Sequence, residues 1–71
     1  MKRVYFITNN ERIVNITTDE AKARSAAENM YDVYQADVDN NRFQEIRSLI
    51  HSFKNIFKFG CAVGIRYRKV A

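Results

Sequence analysis

The run from Phe43 to Phe57 constrains this chain more than any other feature. Phe43, Ile46, Leu49, Ile50, Phe53, Ile56 and Phe57 recur at spacings of three and four, which predicts one helix with a broad apolar face. Asp39-Asn40-Asn41 reads as its cap, with Gln44 three positions after Asn41. Gly60 reads as its stop, with Lys54 and Lys58 near the negative end of its dipole. A helix with so wide an apolar face must lie against something. In a chain of 71 residues there is room for only one core, so the whole of 1–71 is expected to form a single domain.

The segments before and after this run supply the other layer. Residues 3–8 (RVYFIT) are β-branched and aromatic and predict a strand, nearly all apolar and therefore central or covered on both faces. Asn9-Asn10-Glu11 provides turn chemistry. Residues 12–17 (RIVNIT) then predict a second strand, so the chain opens with a hairpin. Thr17-Thr18-Asp19-Glu20 has the form of a capping box with Thr17 as the cap. The alanine-rich helix that follows extends to about Met30. Residues 31–38 alternate weakly, as a short strand or an extended connection. Residues 61–70 alternate more clearly, with Cys61, Val63, Ile65 and Tyr67 on one side and Ala62, Gly64, Arg66 and Arg68 on the other. The expected class is α+β: a small antiparallel sheet, built from the hairpin, the C-terminal strand and a short middle strand, with two helices packed on one face. Arg66 and Arg68 would then lie on the solvated face or at the edge, where charge discourages edge-to-edge pairing.

A domain this small buries only about 60% of the surface its unfolded chain exposes. Four Tyr, five Phe and 46% hydrophobic residues make a filled core attainable and argue against disorder. Homodimerisation is one way to add to so small a core. The single cysteine, Cys61, excludes an internal disulfide and is expected in the core. The apolar run near the N-terminus is too short for a signal peptide, and His51, Lys54 and Lys58 interrupt the best candidate for a membrane span. These features fit a cytoplasmic protein without a membrane partner.

Net charge is +4, unevenly spread. Residues 1–41 carry five basic and seven acidic side chains, whereas residues 42–71 carry seven basic and one acidic. Such polarity points either to a partner of opposite sign for the second half or to two halves that partly neutralise each other in the fold. On the predicted long helix, Arg47, His51, Lys54 and Lys58 fall within about 60° of one another, along the border between buried face and solvent. Arg66, Arg68 and Lys69, with Arg42, would extend this line into a basic surface. It can be read as a solvated rim whose stems cover apolar neighbours, as a phosphate-binding surface, or as a match for an acidic protein surface.

Near-miss motifs narrow the choice. Residues 37–41 (DVDNN) open like a calcium loop, but Arg42 stands where glycine is required and Ser48 where glutamate is. Residues 4–9 and 58–60 loosely resemble the two submotifs of the RNA-recognition motif, but Cys61 and Ala62 stand near the place of a stacking aromatic and a helix should follow the first strand. His51 and Cys61 form the only thiol–imidazole combination, without an orienting third group. They also form no recurring metal-ligand spacing. No cofactor or catalytic residue is assigned. In build alone, the chain resembles the small single-domain regulators and inhibitors encoded by phages and other mobile elements, which act by occupying a surface on a larger machine. The leading expectation is a non-enzymatic module that binds an acidic protein surface, on a nucleic-acid-handling protein for instance, through Arg47, Lys54, Lys58, Arg66 and Arg68, with Tyr67 or Tyr34 as anchor. Direct nucleic-acid binding by the same residues is the alternative, and pairing through an exposed sheet edge the third.

Overall fold

The computed structural model of the chain describes residues 1–70. Strands β1 (Lys2–Asn9), β2 (Arg12–Thr17), β3 (Asp32–Val38) and β4 (Arg68–Lys69) form one antiparallel sheet in the order β2-β1-β3-β4. The α+β class and the opening hairpin hold, and the weakly alternating segment is a full strand that pairs along β1. At the hairpin turn Asn10 and Glu11 both have positive φ, 50° and 67°, the geometry that matches the right-handed twist of the flanking strands.

β1 is buried from Val4 to Thr8, and its alternation explains the layers. Tyr5 and Ile7 point to one face, where they meet Val33 and the small side chains Ala23, Ala26 and Ala27 of α1 (Glu20–Glu28). Val4 and Phe6 point to the other, joining Ala36 and Val38 beneath α2 (Phe43–Leu49) and α3 (Ile56–Val63) through Ile46, Ile56, Phe59 and Val63. The helices therefore cover opposite faces, not the single face expected. A strand reading V-Y-F-I is apolar on both sides, and one layer of helix would leave half of it wet. Each large side chain buried here contributes about 1.5–3 kcal/mol. The buried Thr8 hydroxyl donates to the Asp32 carbonyl at 3.0 Å. Among the described residues no helix is long and apolar enough to cross a membrane.

The predicted long helix is two helices. Asn40–Arg42 forms a 3-10 turn, α2 ends at Leu49, and residues 50–55 turn before α3 begins. Asn55 is extended and caps α3, its Oδ1 accepting from the Phe57 and Lys58 N–H groups at 2.9 and 3.1 Å. A straight helix over 41–59 would run about 28 Å, the full length of a molecule measuring 29 × 23 × 18 Å. The break lets Ile46 and Ile56 reach the same core. It also frees backbone for the hairpin: Ile13 N–H donates to the Lys54 carbonyl at 2.7 Å and Ile56 N–H to the Glu11 carbonyl at 2.8 Å.

Three further expectations change. The cap of α1 is Asp19, whose carboxylate accepts from Ala21 N–H at 2.9 Å, while the Thr17 hydroxyl accepts from Asp19 N–H at 3.0 Å. Gly60 lies inside α3, and the residue that ends the helix is Gly64, left-handed at φ 68°. Residues 61–63 are helical, so Cys61 is exposed on α3, not buried in a strand, and only Arg68–Lys69 remain as strand.

Candidate partner-binding surface

The break dissolves the predicted basic stripe. Arg47 stays on α2, exposed. Lys54 sits in the 50–55 connection beside the hairpin turn, in a depression with Asn10, Glu11, Arg12 and Asn55. Lys58 is on α3. Arg66 and Tyr67 lie in the connection to β4, and Arg68 in β4 itself. His51 is exposed in the turn after α2.

The candidate cations nevertheless share one property. Ion pairs engage Arg3 with Asp37, Arg24 with Glu20, Arg42 with Glu45 and Lys69 with Asp32. Among the described residues Arg47, Lys54, Lys58, Arg66 and Arg68 form none. Arg42, by contrast, is used by the fold: its guanidinium donates to the Val63 carbonyl at the end of α3, 2.8 Å away.

Lys58 and Arg66 border a common surface that the sequence pattern had assigned to the core. Phe53 is 37% exposed and Phe57 50% exposed, and Cys61 and Ala62 stand open beside them. These four and Lys58 line one shallow depression. A second, which shares Phe57 and Cys61, continues over Gly64 and Ile65 to Arg66 and Tyr67. Among the described residues no acidic side chain lines either. Phe57 is braced from below by an edge-on contact with Tyr34, ring centres 6.2 Å apart. The α3 helix is thus amphipathic twice over: Ile56, Phe59, Gly60 and Val63 face the sheet, and Phe57, Cys61 and Ala62 face outward.

Tyr67 holds this surface in place. Its hydroxyl donates to the Ile56 carbonyl at 2.8 Å, and its ring meets Phe6 edge-on at 5.2 Å between centres. A Cβ on Gly60 would come within 2.7 Å of the ring, so glycine at 60 is what lets Tyr67 come this close to α3. Burial, with a smaller contribution from the Cys61 thiol, pushes the phenol above its ordinary pKa. Tyr5 and Phe6 are buried, so neither ring is open to a base or a partner surface.

Across the sheet, a cleft of about 260 Å³ lies between α1 and the strands. Its arginines, Arg3 and Arg24, are both matched by carboxylates, so it offers little net charge to a ligand. No family model, curated protein or solved structure matches this chain.

Proposed function

We propose that the protein is a non-enzymatic binding module whose α3 face docks on an acidic surface of another protein and modulates it by occupancy. One observation carries the reading: an apolar patch of Phe53, Phe57, Cys61 and Ala62 bordered by two cations that form no ion pair among the described residues, Lys58 and Arg66. An apolar centre with a polar rim is the anatomy of a protein interface, and Phe57, half exposed and braced by Tyr34, is its anchor. The sign of the rim selects an acidic partner. A second copy of the chain on this face would set two basic rims against each other. A nucleic-acid backbone would favour a continuous track of cations, whereas Arg47 sits on α2, Lys54 in the 50–55 connection and Lys58 on α3, not along one helix.

The test compares wild type with Lys58→Glu/Arg66→Glu and with Lys54→Glu, by affinity capture from a lysate of the native source and by oligonucleotide fluorescence anisotropy. The proposal expects capture of a discrete acidic protein, lost in the double variant and kept in Lys54→Glu. Oligonucleotide binding that is micromolar at about 50 mM salt and falls steeply by about 200 mM would overturn it.

A further inference from the structure

The ladder between β3 and β4 stops early, and the place where it stops has the chemistry to receive another chain. Val70 N–H donates to the Val33 carbonyl at 2.7 Å, and Tyr34 pairs with Lys69 and Gln35 with Arg68. This register directs the peptide groups of odd-numbered β3 residues toward β4 and those of even-numbered ones toward β1. Continued by two pairs, it would set Asp37 opposite Arg66. The chain instead leaves the sheet at residues 65–67, because Ile65 N–H bonds the Gly60 carbonyl at 3.1 Å and Tyr67 is drawn onto α3. Among the described residues the outward N–H and C=O of Asp37 have no backbone partner.

The walls of this gap are charged. Gln35, Ala36, Asp37, Arg66, Tyr67 and Arg68 line it. Asp37 is matched by Arg3, Nε to Oδ1 at 3.4 Å, whereas Arg66 and Arg68 form no ion pair among the described residues. The opposite edge of the sheet differs. There Ile13 N–H and the Glu11 carbonyl are bonded by residues 54–56, and Asn15 Oδ1 accepts from Ile16 N–H at 2.9 Å. Arg66 and Tyr67 also line the depression on α3, so the gap and the apolar patch form one surface.

We infer that the open end of β3 at Asp37 binds an extended acidic segment by strand addition, with Arg66 and Arg68 holding its carboxylates. The inference builds on the α3 docking surface and specifies its partner, which presents an extended strand with Asp or Glu beside the apolar contact. Backbone hydrogen bonds at Asp37 give the segment its register, and guanidinium–carboxylate pairs give it its sign.

The experiment titrates the full chain, labelled with ¹⁵N, with the peptide acetyl-Glu-Val-Glu-Val-Glu-amide. Three further titrations use its lysine counterpart, its derivative N-methylated at the central residue, and inorganic phosphate. Supporting results are a shift and slowed hydrogen exchange of the Asp37 amide with the acidic peptide, absent with the lysine peptide. Binding should weaken about tenfold in Arg66→Glu/Arg68→Glu and weaken similarly with the N-methylated peptide. Equal binding of the N-methylated peptide, or equal shifts with phosphate, would overturn strand addition, as would no response of Asp37. The variant Phe57→Asp separates the two readings. It removes the apolar anchor on α3 and should leave the peptide's effect at Asp37 intact, so loss of the peptide response alone leaves the α3 surface standing.

Discussion

At the scale of single residues, contact geometry at Gly60 and Tyr67 decides more than residue type does. Gly60→Ala would force its methyl against the Tyr67 ring, and such overpacking costs about 1–3 kcal/mol. Urea unfolding should show that loss, with Gly64→Ala also destabilising but through its positive φ. Tyr67 also makes stability depend on alkaline pH. Its folded pKa lies above the ordinary value of about 10, so its contribution is complete below pH 10. That contribution is lost as pH rises further, because only the unfolded chain then releases the proton readily. Thermal melts across this range should fall more steeply for wild type than for Tyr67→Phe. Met30 marks a third such position: it sits just past α1 with φ 72°, almost fully exposed. Met30→Gly should raise stability by about 1 kcal/mol by removing the steric cost of a left-handed side chain.

At the scale of elements, the hairpin, α1 and the antiparallel class were legible because each rests on a local signal: β-branched runs, turn-forming Asn, an acidic first turn. The middle strand was legible only as an alternative, since its burial comes from pairing along β1, which no local pattern reports. The long helix was misread because Phe53, Ile56 and Phe57 keep the helical spacing through the turn, so periodicity alone cannot see the break. Asn55 followed by Ile-Phe-Lys was the available signal, a capping residue immediately before an apolar stretch. Asn55→Ala should therefore cost about 1 kcal/mol, measurable by denaturant titration, and should not fuse α2 and α3, because residues 54–56 remain bonded to the hairpin. The candidate site was legible in its charges, with Lys58, Arg66 and Arg68 all at the surface. Its apolar centre was invisible for the same reason as the break: a phenylalanine on a helical stripe reads as core.

At the scale of the molecule, the basic second half of the chain has few carboxylates of its own to face. Glu45 is its only acidic residue, and it is engaged by Arg42. Among the described residues Lys58 and Arg66, on and beside α3, form no ion pair, and they stand next to an apolar surface that water does not favour. The direct measurement is site-specific photo-crosslinking in the native source, with a photoactivatable phenylalanine analogue introduced at Phe57 and, separately, at exposed Val14 on β2. The account predicts one discrete protein adduct from position 57, lost when Lys58→Glu and Arg66→Glu are added, and none of that species from position 14. No adduct at position 57, or the same adducts from both positions, would contradict it.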